Sequence, residues 1–241
     1  MIVVSLFDES GNMGRPWAER GATVHCYDIL NEYREEHTRG GGRIVWHNRD
    51  LMDDNVLKSI GLTAQPDIIF GFPPCTDLAV SGSIHFEKKR KVNPNFQEEA
   101  TALARQVEKL GNLCGCPWFA ENPVSVLSSM WRKPDYLFHP YEYGGYLPED
   151  DLHPRWPEYI APRDHYRKKT CLWAGNGFVM PPKKSLGDPG EDSKQHRKLG
   201  GKSAKTKQIR SETPRGFAQA VMEANYEVLS NRKRGVSQDA G

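Results

Sequence analysis

The chain has 241 residues, of which 37% are hydrophobic, 27% charged and 10% aromatic, and its formal net charge is +2. Such a chain can bury a core, which excludes wholesale disorder and predicts one large domain or one domain with a small appendage. No run approaches 18 apolar residues, so we expect no membrane contact. The five scattered cysteines argue against a disulfide scaffold and favour a reducing, intracellular setting.

The charge is unevenly distributed along the chain. Residues 183–210 hold nine Lys or Arg and three Asp or Glu, whereas the residues before them carry a net negative charge. A basic segment of this kind predicts contact with a polyanion. An ordinary solvated loop has the same composition, so this alternative stays open.

Strands alternate with helices over the first half of the chain. Short apolar runs predict strands at residues 1–7, 23–28, 43–47, 67–72 and 117–120. Helices are predicted at residues 15–20, 53–60 and 97–111, the last with Gly111 as its C-cap. This alternation is typical of a mostly parallel sheet with helices on both faces, and it predicts an α/β fold.

The second half of the chain has a different character. Residues 131–165 are rich in Pro, Tyr, Trp and Gly, and their aromatic side chains either stack on bases or pack as core. A further strand is predicted at residues 170–173, and residues 181–210 are predicted to be mostly loop. A last helix begins at Thr213 and Pro214, and the final ten residues are expected to fray.

A cysteine and an acid follow two successive predicted strands. Cys75 comes directly after Pro73-Pro74, and Glu121 ends the next strand along the chain. Both therefore belong to the carboxyl edge of the sheet, where ligands bind. A thiolate there suits a nucleophile, and a carboxyl group suits proton transfer. Taken alone, Cys75 is more commonly a small buried hydrophobe, and Glu121 is equally well an N-cap or a surface acid.

Further acids lie at the ends of the earlier strands. Asp28 and Asp50 end the second and third strands, and an acid at such a position can bind ribose hydroxyls. The first loop contains Asp8, Glu9 and two glycines that let the backbone approach a ligand closely. Its acids disfavour a phosphate and suit a cationic ligand such as S-adenosylmethionine, which has a sulfonium and an amino group.

In content and order, these positions resemble the DNA (cytosine-5) methyltransferase family. Residues 71–75 match the family's Pro-Cys nucleophile motif, and residues 121–123 match its Glu-Asn-Val motif. Weaker similarities link other segments to the family's cofactor loop, its ribose-binding acid, its adenine-contacting turn and its last motif: residues 5–11, 28–29, 48–51 and 211–218. The resemblance covers about residues 2–130 and 166–228.

The resemblance implies a Rossmann-like S-adenosylmethionine-dependent methyltransferase fold with a small irregular recognition region. It implies methylation of carbon 5 of cytosine in DNA through a covalent adduct to Cys75, with Glu121 as the acid. Cofactor contacts are expected from Phe7, Asp8, Gly11, Asp28, Ile29, Asp50, Leu51 and Phe72. No metal is required, and we expect Cys114 and Cys116 to be structural.

The chain departs from the family pattern in three places. Glu9 stands where the family's loop has its first glycine. The Gln-x-Arg-x-Arg motif is missing, and in its nearest counterpart, residues 166–170, Lys168 or Arg167 is expected to supply the cation. The region available for target recognition is about residues 178–210, which is too short for an independent core.

The domain and partner predictions follow from the resemblance. We expect a catalytic domain at residues 1–177 and 211–230, a short basic target-recognition segment at 178–210 and a flexible tail at 231–241. The implied partner is a DNA duplex with a flipped cytosine, over which residues 81–95 would close. Expected DNA contacts are Lys88, Lys89, Arg90, Lys202, Lys205, Lys207 and Arg210. We expect a cytoplasmic monomer, at the nucleoid or in the cytoplasm of a phage-infected host.

Two alternative functions remain open from the sequence. The first is the same chemistry on RNA or on a free cytosine nucleotide. The second is an inactive relative that binds nucleic acid through residues 183–210. The presence of both Cys75 and Glu121 argues against an inactive relative, and the basic segment argues mildly against an enzyme for mononucleotides.

Overall fold

The structure is a computed structural model that describes residues 1–190, 193–199 and 203–238. The described residues fall into two compact units. The first consists of Met1–Leu137 and Thr170–Phe178, and the second of Phe138–Lys169 and the described residues from Val179 onward. The functional domains expected from the sequence stay a prediction, because these units divide the chain at other places.

One sheet contains the strands found within the described residues. They are β1 (Ile2–Leu6), β2 (Thr23–Asp28), β3 (Arg34–His37), β4 (Arg43–Asn48), β5 (Ile68–Gly71), β6 (Trp118–Pro123), β7 (Tyr136–Phe138) and β8 (Thr170–Gly175). The spatial order is β3-β4-β2-β1-β5-β6-β8-β7. Strands β4, β2, β1, β5 and β6 pair in parallel, while β3 and β8 run antiparallel to their neighbours β4 and β6. The predicted α/β, Rossmann-like fold with a mostly parallel sheet is confirmed.

Helices connect the strands of the first unit and form much of the second. The α-helices are α1 (Arg15–Ala18), α2 (Asp54–Ala64), α3 (Phe86–Val92), α4 (Phe96–Cys114), α5 (Leu127–Met130), α6 (Lys194–Lys198), α7 (Ala204–Ser211) and α8 (Arg215–Gln238). Short 3-10 helices cover Val80–His85, Pro140–Tyr146 and Pro162–Asp164. Among the described residues, none of the helices has both the length and the apolar composition needed to cross a bilayer.

Helix α4 is longer than its sequence pattern predicts. Its apolar face, which includes Ala104 and Val107, is buried in the core of the first unit, as expected. The helix continues past Gly111 and ends at Gly115, whose φ of 62° provides the left-handed C-cap. The assignment of Gly111 as the C-cap is therefore wrong. A Cβ at Gly111 would lie 2.1 Å from Cδ1 of Trp118, so the glycine admits a close tryptophan.

Strand β3 has no counterpart among the predicted strands. All four of its residues are exposed, and their sequence is Arg-Glu-Glu-His. A strand without an apolar face gives no periodic signal, which is why the pattern overlooks it. It forms the edge of the sheet, where charged side chains hinder pairing with another chain.

The basic segment of the second unit is more ordered than predicted. Residues 181–210 were expected to be mostly loop, yet α7 begins there with the Ser203 hydroxyl accepting a hydrogen bond from the Thr206 N–H. Ile209 of α7 is fully buried in a cluster with Ile160, Tyr166 and Leu199. Because residues 138–169 contribute half of this cluster, the segment has a core that it would lack alone. Within the described part of residues 181–210, α6 and α7 therefore alternate with loop, and the role of this segment in recognition stays a prediction.

Aromatic residues of the segment 131–165 pack as core in both units. Trp131 stacks on Trp173 with ring centroids 5.7 Å apart. In the second unit, Phe138 stacks on Phe217 of α8 at 4.1 Å, and Tyr143 contacts the same ring edge-on. The packing alternative is therefore confirmed for these residues.

Helix α8 itself continues to Gln238, well into the segment expected to be a flexible tail.

Asp164, at the end of the 3-10 helix Pro162–Asp164, is a buried carboxyl group that contacts the first turn of α8. Its side chain is 1% exposed, and its Oδ2 atom accepts a hydrogen bond of 2.8 Å from the Gly216 N–H. Burial, which disfavours the charged form, raises the pKa of Asp164 to about 6, while the Gly216 bond and Arg215 partly oppose this rise. Its backbone φ is 52°, a conformation that Asn tolerates well.

We predict that Asp164→Asn stabilises the protein at neutral pH. The Asp164 carboxyl group releases its proton near pH 4 in the unfolded chain and near pH 6 in the folded chain. The native carboxyl group therefore costs stability as the pH rises through that window. The asparagine carbonyl still accepts the Gly216 bond but carries no charge. The gain in the free energy of unfolding should be on the order of 3 kcal/mol at pH 7.5 and should vanish near pH 4. Urea unfolding at the two pH values measures this free energy, and an equal loss of stability at both pH values would contradict the prediction.

Candidate active site

The loop after β1 is organised by a buried aspartate. Asp8 is 3% exposed, and its Oδ1 atom accepts hydrogen bonds from the backbone N–H groups of Ser10 and Gly11 at 2.9 and 2.8 Å. Its Oδ2 atom accepts a bond of 2.7 Å from the Ser5 hydroxyl. Asp8 is an expected cofactor contact, and in the structure its carboxylate also holds the loop, because protein donors bond to both of its oxygens. Phe7, with a φ of 58°, turns the chain into this loop.

Asp28 lies at the carboxyl end of β2 beside this loop. Its Oδ1 atom accepts a 2.8 Å bond from the Leu30 N–H, and burial is the largest cause that raises its pKa. Burial also raises the pKa of Glu9, with further contributions from the charges of Asp28 and Asp8. Three acids therefore lie close together at this edge. The Ile29 side chain is 59% exposed.

The turn after β4 contains two of the expected cofactor contacts. Asp50 is exposed, and its Oδ1 atom accepts a bond of 2.9 Å from the Met52 N–H. Leu51, which was expected to contact the cofactor, is 3% exposed and packs into the core. The side chain that lines a cavity at this point is that of Met52.

A cavity of about 380 Å³ opens beside the Pro-Pro-Cys loop. Its walls are mostly apolar, with two acids among them, and consist of Met52, Pro74, Asp77, Asn93, Phe96, Glu99, Ala100 and Leu103. A volume of this size is in the range of small-ligand sites. Sequence reasoning missed Met52, Phe96 and Leu103. Leu103 was missed because it lies on the apolar face of α4, and helical periodicity predicts that such a side chain packs in the core.

The Cys75 loop continues from β5 under several backbone restraints. The Phe72 N–H donates to the Leu6 carbonyl at 3.0 Å, which continues the pairing of β5 with β1. Phe72 meets the Phe119 ring edge-on. The Cys75 carbonyl accepts bonds from the N–H groups of Leu78 and Ala79 at 3.0 and 2.8 Å. The Cys75 side chain is exposed.

Asn122 ties the Glu121 strand to the Cys75 loop. Its Nδ2 atom donates a buried hydrogen bond of 2.9 Å to the Pro73 carbonyl. Its Oδ1 atom is buried and has no hydrogen-bond partner among the described residues. Glu121, directly before it, is partly buried on β6. Pro73 and Pro74 have no backbone N–H, so this loop has few hydrogen-bond donors of its own. The Asn122 side chain supplies the donor that fixes the Pro73 carbonyl.

Two backbone bonds strengthen the same connection. The Val80 N–H donates to the Val124 carbonyl at 3.1 Å, and the Val126 N–H donates to the Leu78 carbonyl at 3.0 Å. These bonds form a short bridge between the segment after Cys75 and the segment after Glu121. The chain is therefore held to Asn122 and the residues after it both before and after Cys75.

The segment after Cys75 is folded rather than an open loop. It contains the 3-10 helix Val80–His85 and α3. Lys89, which is expected to contact DNA, donates to the Thr76 carbonyl at 2.9 Å and to Asp77 at 2.5 Å. Arg90 donates to the Gln97 side chain at 3.3 Å, and Lys88 is exposed.

The remaining predicted site residues belong to the second unit. Lys168 donates to the Arg210 carbonyl at 3.1 Å, and Arg167 pairs with Asp188 through two hydrogen bonds. Lys205 lies 5.6 Å from the centre of the Trp156 ring. Lys205, Lys207 and Arg210 are exposed on α7, and Lys202 lies outside the described residues.

Comparison with protein-family models and with curated proteins found no match. Among solved structures, the chain is similar to the crystal structure of an E. coli protein described as a candidate DNA modification methyltransferase encoded within a prophage. The TM-score is 0.40 at 14% identity, over 73% of this chain and 46% of that one. The chain thus spans just under half the length of that protein. At this degree of likeness, the function must be argued from the site's own residues.

We predict that Asn122→Asp loosens the joined loops. The substitution replaces the buried donor with an acceptor that faces the Pro73 carbonyl, so a hydrogen bond is lost and two oxygens repel each other. The cost should be about 1–3 kcal/mol of unfolding free energy. Chemical denaturation measures it, with Asn55→Asp as the control because Asn55 is an exposed residue of α2. Equal stability of both variants would contradict the role of Asn122.

Proposed function

We propose that the protein methylates carbon 5 of cytosine in DNA and uses S-adenosylmethionine as the methyl donor. The observation that carries the proposal is the hydrogen bond from Asn122 to the Pro73 carbonyl, which joins the Pro-Pro-Cys loop to the Glu-Asn-Pro strand end. It connects the two motifs that resemble the cytosine-5 methyltransferases at the edge of the sheet where α/β folds bind ligands.

The residues at this edge fit the proposed cofactor. The mostly apolar cavity lined by Met52, Phe96 and Leu103 suits an adenine ring. Asp28 ends β2, where a carboxylate can accept hydrogen bonds from ribose hydroxyls. The acids Asp28 and Glu9 favour a ligand with positive charge over a phosphate. When bound, S-adenosylmethionine supplies an electrophilic methyl group.

Cys75 and Glu121 have complementary tasks in the proposed reaction. The Cys75 thiolate adds to carbon 6 of the flipped cytosine, and Glu121 holds and protonates ring nitrogen 3. Carbon 5 then has enamine character and accepts a methyl group. Loss of the carbon 5 proton expels Cys75 and restores the ring. The exposure of Cys75 supports this role, because the thiol must reach a large substrate.

The second candidate is the same chemistry on RNA or on a free cytosine nucleotide. The exposed cations of α7 favour a polymer over a nucleotide, because phosphate contacts supply much of the affinity for nucleic acids. Lys168 is proposed to supply the cation of the missing arginine motif. Lys205, Lys207 and Arg210 are proposed as phosphate contacts.

We predict that DNA carrying 5-fluorocytosine traps the protein covalently. Fluorine does not leave as a proton does, so the adduct to Cys75 persists through denaturation. A gel-shifted band that resists denaturation should form with wild type and with Cys114→Ala, and should be absent with Cys75→Ala. A band that persists with Cys75→Ala would overturn the assignment of the nucleophile. Trapping by fluorinated RNA or by the free nucleotide, without trapping by DNA, would support the second candidate.

We predict that Asp28→Ala weakens binding of S-adenosylmethionine. Losing a hydrogen bond to a charged group should cost about 1.5–3 kcal/mol. Isothermal titration calorimetry measures the change, with the exposed acid Glu32 replaced by Ala as the control. If both variants bind as wild type does, another residue binds the ribose.

We predict that replacing Lys205 and Lys207 with Ala weakens DNA binding on all sequences alike. Phosphate contacts position a protein without reading bases, so the loss should be uniform. The slope of log affinity against log salt should fall by up to about 0.9 per lost contact. Fluorescence anisotropy over a salt series measures both effects. Replacing the exposed Lys58 and Lys133 of the first unit removes the same charge, and an equal effect there would contradict a specific role for α7.

A further inference from the structure

One surface of the second unit combines two cations with two aromatic rings. The Cζ atom of the Arg155 guanidinium lies 4.7 Å from the centre of the Trp156 ring. The Nζ atom of Lys205 on α7 lies 5.6 Å from the centre of the same ring and 5.3 Å from that of the Tyr159 ring. Both cations are exposed, and both rings are partly buried. A loop of the segment 131–165 and helix α7 therefore form one surface.

The Trp156 ring is held in place by three contacts. Its Nε1–H group donates to Oε1 of Glu212 at 2.9 Å. Its backbone N–H donates to Nδ1 of His153 at 2.9 Å. The ring also packs against the buried cluster that contains Ile209. A ring restrained in this way is a rigid platform for a side chain that lies over it.

The Arg155 guanidinium is preorganised on this platform. Its Nη2 atom donates a hydrogen bond of 3.3 Å to Oε1 of Gln208 on α7. A guanidinium has five N–H groups in a fixed planar fork, so this bond leaves donors for a ligand. The ring contact and the existing bond restrict the side chain beforehand, which lowers the entropy that it loses on binding. Arg155 therefore suits a ligand that offers two acceptors side by side.

The edge of a guanine base offers such a pair of acceptors. In the major groove of DNA, the N7 and O6 atoms of guanine lie next to each other, and an arginine can bond to both at once. A phosphate contact positions a protein without reading sequence, and a flexible lysine such as Lys205 is sufficient for it. The restraint on Arg155 adds little to a phosphate contact, whereas it improves the recognition of a base.

We propose that Arg155 reads a guanine in the DNA target through hydrogen bonds to its N7 and O6 atoms. Trp156 and Gln208 are positioning residues for the guanidinium, and Lys205 contacts a nearby phosphate. This role rests on the proposed function, because it requires a DNA substrate. The recognition surface then extends beyond residues 178–210 to the loop that contains Arg155, and a guanine is expected within the recurring target sequence.

The test measures base reading through binding, without the methylation step. The full-length protein is mixed with duplexes of random sequence around one cytosine, and the bound DNA is sequenced. Wild type should enrich a guanine at one position. Arg155→Lys keeps the charge but loses the planar fork, so the preference for guanine there should fall by about 5- to 150-fold. Arg39→Lys, at an exposed arginine of the first unit, is the control and should keep the preference. Lack of a preferred guanine with wild type, or an unchanged preference with Arg155→Lys, would overturn the proposal.

A modified base distinguishes a direct contact from a structural effect of the substitution. In 7-deazaguanine, a carbon replaces N7, so one of the two acceptors is lost. At the preferred position, this base should weaken binding by wild type and leave binding by Arg155→Ala unchanged. Trp156→Leu should reduce the guanine preference, and Trp156→Phe, which keeps an aromatic face, should retain it. Equal weakening of wild type and Arg155→Ala by 7-deazaguanine would refute the contact.

The binding test also separates the role of Arg155 from the proposed reaction. Guanine enrichment that depends on Arg155, without any methylation of cytosine, would support the reading role and refute the proposed chemistry. Methylation of cytosine with an unchanged guanine preference in Arg155→Lys would support the chemistry and refute the reading role.

Discussion

The candidate site depends on one buried hydrogen bond, from the Asn122 side chain to the Pro73 carbonyl. Two successive prolines stiffen the chain before Cys75 and remove its backbone donors, so the loop relies on a donor from the neighbouring strand. The bridge between residues 78–80 and 124–126 adds two backbone bonds on the far side of the site. Because β6, the strand that supplies Asn122, also contains Glu121, this bond ties the position of Glu121 to that of the Cys75 loop.

Several acidic side chains lie close together at the edge of the sheet formed by the ends of β1 and β2. Asp8 is used internally to shape the first loop, and this leaves Asp28 and Glu9 to define the polarity around β2. Burial and the charge of Asp8 raise the pKa of both groups, and the charge of Asp28 raises that of Glu9 further. A cationic ligand would relieve this repulsion. This polarity agrees with the proposed sulfonium cofactor better than with a phosphate.

The sequence predicts the parallel strands well, because buried strands are continuous apolar runs and the residues after them meet at one edge. It overlooks β3, whose charged residues have no buried face, and it places the end of α4 at Gly111 because a glycine inside a helix has the same sequence signal as a C-cap. It places Asp50 at the turn after β4 but misses Met52, since only the folded turn shows which side chain lines the cavity. Helix α7 was overlooked because its buried face consists of little more than Thr206 and Ile209, whose burial depends on a segment distant in sequence.

Bisulfite sequencing of plasmid DNA from cells that express the protein tests the central claim most directly. A cytosine-5 methyltransferase whose recognition region is as short as residues 178–210 should protect cytosines within one recurring sequence of about two to four base pairs. Cells that express Cys75→Ala at the same level should show no protection. Unprotected DNA from cells that contain folded wild-type protein would contradict the proposed cytosine methylation. Equal protection by wild type and Cys75→Ala would also contradict it.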